Sequence, residues 1–327
     1  MTTLVINKHD KLVKSKKAKN DEFYTLYEDI ENELQYYTEH FKDKIIYCNC
    51  DDYEKSNFYK YFKDNFKKLQ LKELIATGYD NITNKQGKYA RYNGETEITK
   101  NNVEGDFMKN IKLLKEADII ITNPPFSKHN NYLNLLIEYN KKFLFIANQT
   151  TISYKHTHTG ILNKNFWLGY NYDTIKYFYN NNNNKNEKVS LSISTIWLTN
   201  LKHKDNDNDI TLTKIYNENE YKKYDNYNAI NVDKIKDIPK DYKGLIGIPI
   251  SGCKFMKTDG TLKLNGEKYK VLCVAAGATK KNTPKDILEY VGFVPNICAK
   301  NNRGGDGTPI INGIGKYARL IIEKQHT

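Results

Sequence analysis

The chain has 327 residues, enough for one large domain or two ordinary ones with a full core. Lys and Arg number 51 against 39 Asp and Glu, and the resulting charge of +12 points to an anionic partner, nucleic acid first; a solvated, Lys-rich surface is the competing explanation. No run of about 18 apolar residues occurs and the N-terminus has no apolar core of signal-peptide length, so a soluble cytoplasmic protein without membrane contact is expected.

Residues 1–20 are polar and basic (Lys8, Lys11, Lys14, Lys16, Lys17, Lys19) and read as a mobile arm. A helix is expected from Tyr27 to Tyr37, with Glu28, Asp29 and Glu31 near its start, where the helix dipole favours acids. The run KIIYCNCDD (44–52) reads as a buried strand ending in two acids. SNFYKYFKDNFKKL (56–69) is helical, with Phe58, Phe62, Phe66 and Leu69 on one face. Further strands are expected at LKELIATGYD (71–80), ADIIITN (117–123) and KFLFIAN (142–148), with a helix carrying Tyr132, Leu133, Leu136 and Ile137 between the last two. Strands alternating with helices imply a parallel, doubly wound α/β sheet.

DTIKYFY (173–179) and VSLSISTIWLTNL (189–201) flank the run Asn180 to Asn184 and read as an antiparallel hairpin around a solvated loop. Residues 202–240 are highly charged and read as a surface connector. From Tyr242 onward short strand-like runs among glycines (GLIGIPI, YKVLCVAA, YARLIIEK) imply a smaller mixed or β-rich second domain. The expected division is a basic arm (1–20), an α/β domain (21–201), and a connector with a second, smaller domain (202–327). The five cysteines (Cys48, Cys50, Cys253, Cys273, Cys298) lack metal-site spacing, so free thiols and no metal are expected.

The most informative stretch is Asn123-Pro124-Pro125-Phe126, at the end of the strand-like Ile119 to Ile121. In an open parallel sheet, ligands bind at the carboxyl ends of strands. Two prolines fix φ and remove two backbone donors, leaving rigid carbonyl acceptors. Asn123 adds a side-chain oxygen, and Phe126 a face for stacking. Two stiff acceptors suit the two hydrogens of a planar amine. Holding those hydrogens out of the conjugated geometry localises the nitrogen lone pair towards an electrophile, so alignment can supply most of the rate.

With these features the chain resembles the S-adenosylmethionine-dependent amino-methyltransferases, most closely the EcoRI-type adenine-specific DNA methyltransferases, over roughly residues 20–200 with an echo at 306–324. The resemblance implies a Rossmann-like methyltransferase sheet and assigns Asn123, Pro124, Pro125 and Phe126 as the catalytic tetrapeptide. EGDF (104–107) matches the motif whose acid holds the cofactor's adenine amine, giving Asp106 and Phe107. DEFYTLYEDIE (21–31) matches the segment closing over the methionine end of the cofactor, giving Phe23, Tyr24 and Thr25. YCNCDDYEKSNFYKYF (47–62) matches the first-strand motif, placing Asn49, Asp51, Asp52, Ser56 and Asn57 near the cofactor. Its loop has no glycine where most methyltransferases have Asp-x-x-x-Gly-x-Gly: either Ser56 and Asn57 make the turn, or the cofactor binds poorly.

The resemblance implies methylation of adenine in double-stranded DNA by a flipped-base mechanism, as a monomer, with a restriction endonuclease of the same specificity as its counterpart. Lys243, Lys254, Lys257, Arg303 and Arg319 are candidate phosphate contacts, each with ordinary surface charge as the alternative. The rival readings are an amino-methyltransferase acting on DNA cytosine, RNA or a protein glutamine, and a DNA-binding protein that keeps the fold without the chemistry.

Overall fold

The computed structural model describes residues 24–80, 86–172, 177–180, 187–190, 194–225, 228–275 and 309–325. The basic arm, Phe23, the asparagines from 181 to 184, Cys298 and Arg303 lie outside the described residues. The chain divides into two compact units, residues 1–148 with 169–203, and residues 149–168 with 204–327.

Short runs of β-branched and aromatic residues make the main strands of the first unit. These are Ile45–Cys48 (β1), Glu73–Asp80 (β2), Gln86–Tyr92 (β3), Glu97–Val103 (β4), Ile119–Thr122 (β5), Lys142–Asn148 (β6) and Thr195–Thr199 (β7). They run in the order β4-β3-β2-β1-β5-β6-β7. β2, β1, β5 and β6 are parallel neighbours, whereas β3, β4 and β7 join antiparallel. The unit is therefore mixed α/β on a large mixed sheet. β1 and β5 are buried at every position, which is why they read as unbroken apolar runs without alternation.

The hairpin of β3 and β4 is absent from the sequence reading. Its signal is Asn93-Gly94: Gly94 sits at φ 96°, and the Asn93 side chain accepts from the backbone N–H of Glu95 and Thr96. β4 is exposed through most of its length, so no apolar pattern marks it. The expected strand at 189–201 is two strands. Glu187–Ser190 pairs with Tyr177–Asn180, which also pairs with Tyr24–Thr25; β7, buried at every position, instead lies against β6.

The first helix, Tyr27–Leu34 (α1), tightens into a 3-10 segment over Gln35–His40. Asn57–Asp64 (α2) turns Phe58 and Phe62 into the core, and Phe66 and Leu69 follow them there from the turns after the helix. Edge-on aromatic contacts hold the packing: Phe41 to Phe62 at 5.4 Å and Phe58 to Trp197 at 6.0 Å between ring centroids. Ile111–Glu116 (α3) precedes β5. His129–Glu138 (α4) follows it and buries Tyr132, Leu133, Leu135 and Leu136, whereas Ile137 is exposed.

The second unit carries a five-stranded sheet of Ala229–Asn231 (β8), Leu245–Pro249 (β9), Thr261–Leu264 (β10), Glu267–Ala275 (β11) and Arg319–Lys324 (β12), in the order β8-β9-β12-β11-β10. Lys155–Leu162 (α5) packs against β11. Residues 202–240 are not a bare connector. Leu212, Tyr221, Tyr224, Ile235 and Ile238 are buried, and β8 pairs with β9. Widely spaced apolar residues among the charges carry this packing, so no periodicity shows it.

Two candidate phosphate contacts are internal. The Lys257 ammonium is buried against Asn206 and Asn208 oxygens, and Arg319 donates to Asp233 at 2.8 Å from a buried position. Cys48, Cys50 and Cys253 are free thiols, but Cys273 is disulfide-bonded, against the expectation of free thiols alone. Among the described residues no helix is long and apolar enough to cross a membrane, and no cluster of three or more His, Cys, Asp or Glu is arranged to hold a metal.

Candidate active site

After β1 the chain moves to β2 on one side, and β5 lies on the other. The loops leaving β1 and β5 therefore emerge side by side where the strand order reverses, the place where open parallel sheets bind ligands. The β1 loop carries Asn49, Asp51, Asp52, Ser56 and Asn57, and the β5 loop carries Asn123 to Phe126.

Ser56 builds the start of α2. As N-cap it accepts from the backbone N–H of Phe58 and Tyr59, and its own hydroxyl donates to Asp51 at 2.6 Å. The other Asp51 oxygen accepts from the Thr122 hydroxyl, and Thr122 Oγ1 accepts from the Cys50 N–H at 3.2 Å. Thr122 is the last residue of β5, so a buried carboxylate and a buried hydroxyl join the two loops directly. Burial pushes the Asp51 carboxyl up to about 6 against the opposing pull of the Ser56 and Thr122 hydroxyls. Asp52 accepts from the Lys88 ammonium at 3.1 Å, tying the loop to β3.

The loop lacks glycine because the glycine is on the neighbouring strand. A Cβ on Gly78 would lie 2.6 Å from both Asp51 C and Asp52 N. The Asp51–Asp52 peptide thus rests on bare β2 backbone, and the Asp51 N–H donates to the Thr77 carbonyl at 2.8 Å. Ser56 and Asp52 complete the turn, with the Ser56 N–H bonded to the Asp52 carbonyl.

In the β5 loop Asn123 is half-buried, Pro124 buried, Pro125 exposed, and Phe126 partly buried against the main core. The Pro125 carbonyl accepts from the Lys128 N–H at 2.9 Å, turning the chain into α4. Thr25, buried, reaches both loops: its carbonyl accepts from Asn57 Nδ2 at 2.7 Å and its hydroxyl lies 3.5 Å from Asn123 Nδ2. Tyr24 pairs with Tyr179 in the small sheet.

Asp106 is half-buried and its Oδ1 accepts from the Met108 N–H at 3.0 Å, so this carboxylate also shapes its own turn. Phe107 is buried, stands edge-on to Tyr132 at 5.0 Å, and has the Lys128 ammonium 5.5 Å from its ring centre. The EGDF turn therefore meets the start of α4 just after the tetrapeptide. Tyr132 donates to Asn49 Oδ1 at 2.8 Å. Asn49 is 0 % exposed, and its Nδ2 meets no acceptor among the described residues. Such a donor costs about 1–3 kcal/mol if left unsatisfied. A polar ligand with acceptor atoms answers it, so the residues present fit a cofactor of the S-adenosylmethionine type.

The structure thus brings Thr25, Asn49, Asp51, Ser56, Asn57, Phe107 and Asn123 into one linked network. Three members are absent from the sequence reading as site residues: Gly78, Thr122 and Tyr132. Thr122 ends β5 next to Asn123, and that adjacency was its available signal, whereas Gly78 lies inside β2 with no predicted site residue beside it in sequence. Tyr132 read only as helix core.

Known proteins match the chain over most of its length. The family model described as "Adenine-specific methyltransferase EcoRI" matches residues 11–325. The chain is 42% identical to the Type II methyltransferase M.EcoRI of Escherichia coli, over 89% of this chain and 96% of that one. It is 35% identical to the Type II methyltransferase M.MgeORF184P of Mycoplasma genitalium, over 95% and 98% of the two chains, and 34% identical to the Type II methyltransferase M.MpnI of Mycoplasma pneumoniae, over 95% and 97%. No solved structure matches the chain. The chain belongs to the EcoRI-type adenine-specific methyltransferase family.

Proposed function

We propose that this protein methylates the 6-amino nitrogen of adenine at a specific site in double-stranded DNA, using S-adenosylmethionine, as the modification half of a restriction–modification pair. The observation that carries the reading is the junction of β1 and β5, where Asn123 and Pro124 stand beside a glycine-free loop cradled on Gly78. Membership in an adenine-specific family and relatives named type II methyltransferases support the substrate. Those findings weigh against cytosine, RNA or protein glutamine as the target.

Bound S-adenosylmethionine supplies an electrophilic methyl group on a sulfonium centre. Asn49, Asp51, Asp52, Ser56, Asn57, Asp106 and Phe107 would hold it, with Phe23, Tyr24 and Thr25 closing over it. Asn123 Oδ1 and the Pro124 carbonyl would accept the two amine hydrogens of a flipped adenine, since the Pro125 carbonyl is committed to its turn. Phe126 would stack on the base. With its hydrogens so held, the amine would present its lone pair to the methyl, and the proton left on the methylated nitrogen would pass to solvent, so no general base touching the nitrogen is required for the transfer.

The first unit would carry the Rossmann-like catalytic domain expected over 21–201 and the second the recognition region, residues 149–168 being counted with the second unit. A monomer suffices because each strand is methylated separately, and the cytoplasm is the compartment where its DNA lies. A restriction endonuclease of the same specificity is the expected counterpart, without direct contact.

The test is Asn123→Ala. Methyl transfer should fall on the order of a hundredfold or more, while S-adenosylmethionine affinity measured by calorimetry stays near wild type. Turnover close to wild type would remove Asn123 from the chemistry.

A further inference from the structure

Tyr132 lies on α4, six residues past the tetrapeptide, and is fully buried. Its ring is fixed edge-on by two neighbours, Phe107 at 5.0 Å and Phe145 at 5.1 Å. Burial holds its phenol well above the ordinary tyrosine value, so the hydroxyl stays protonated and can donate. Its acceptor is Asn49 Oδ1 at 2.8 Å, at the carboxyl end of β1. An amide whose oxygen is engaged has one remaining task, that of its NH₂ group. In Asn49 that group is buried and has no acceptor among the described residues.

We propose that Tyr132 is a positioning residue for the cofactor: it locks the Asn49 amide so that Nδ2 faces the crevice and donates to an acceptor atom of S-adenosylmethionine. The inference rests on the methyltransferase reading above. It makes α4 a shared support, since the helix that follows the tetrapeptide also orients a cofactor contact in the β1 loop. Phe107 braces the same ring, so the EGDF turn contributes to the lock through packing.

Calorimetry with S-adenosylmethionine on the full chain tests this, using wild type, Tyr132→Phe, Asn49→Ala and the double variant. Tyr132→Phe keeps both ring contacts and removes one hydrogen bond, so affinity should fall about tenfold with the fold retained by circular dichroism. The double variant should bind no more weakly than Asn49→Ala alone, because Tyr132 acts through Asn49. Should Asn49→Ala not fold, Asn49→Ser takes its place in the cycle. Wild-type affinity in Tyr132→Phe, or fully additive losses in the cycle, would overturn the proposal. Absence of binding by wild type would instead overturn the methyltransferase reading on which it rests.

Discussion

Single residues show how closely the site depends on backbone approach. Gly78 carries no chemistry, yet it leaves room for the Asp51–Asp52 peptide. Gly78→Ala places a methyl 2.6 Å from two backbone atoms, and the crowding should cost about 1–3 kcal/mol of stability. Thermal unfolding should show a lower melting temperature, and calorimetry a weaker hold on S-adenosylmethionine; an unchanged melting temperature would contradict the close approach. The sequence displays the tetrapeptide because proline and asparagine are conspicuous at a strand end. It does not display Gly78, because a glycine inside a strand signals close approach without naming what approaches. Asn49 was legible only through resemblance, since its burial and the Tyr132 bond join residues 83 apart.

Among elements, α1 shows how distant segments are fixed. Glu33 is fully buried and accepts from the Tyr37 hydroxyl at 2.7 Å and from the backbone N–H groups of Tyr170 and Asn171, each at 2.8 Å. Burial without a cation raises its carboxyl from an ordinary 4.5 to about 7, with the three donors pulling the other way. The folded protein therefore holds a proton that the unfolded chain releases between about pH 4.5 and 7. Measured relative to Glu33→Gln, wild-type stability should be greatest below that window, fall as pH rises through it, and level off above. Denaturant unfolding at a series of pH values checks this, and a difference that grows with pH would contradict it. Buried strands were legible as elements because their apolar runs are continuous. The β3–β4 hairpin was not, because its outer strand is polar and only Asn93-Gly94 marks it.

At the scale of the whole molecule, a charge of +12 on a DNA-modifying enzyme predicts salt-sensitive binding. The logarithm of DNA affinity should fall linearly with the logarithm of salt concentration, with a slope of about −0.9 per phosphate contacted. Fluorescence anisotropy at several salt concentrations measures it, and a flat line would contradict electrostatic engagement. Two of the basic residues proposed from sequence, Lys257 and Arg319, are spent inside the second unit, so single charges were a poor guide to the surface. The α/β alternation was legible over the first 150 residues, but the return of residues 149–168 to the second unit was not, because long-range packing leaves no local pattern. Adenine methylation is tested most directly by expressing the protein, digesting the cells' DNA to nucleosides and identifying the methylated base by mass spectrometry. 6-Methyladenine, absent when Asn123→Ala is expressed instead, is the predicted product; 4-methylcytosine alone, or no methylated base in DNA, would contradict the assignment.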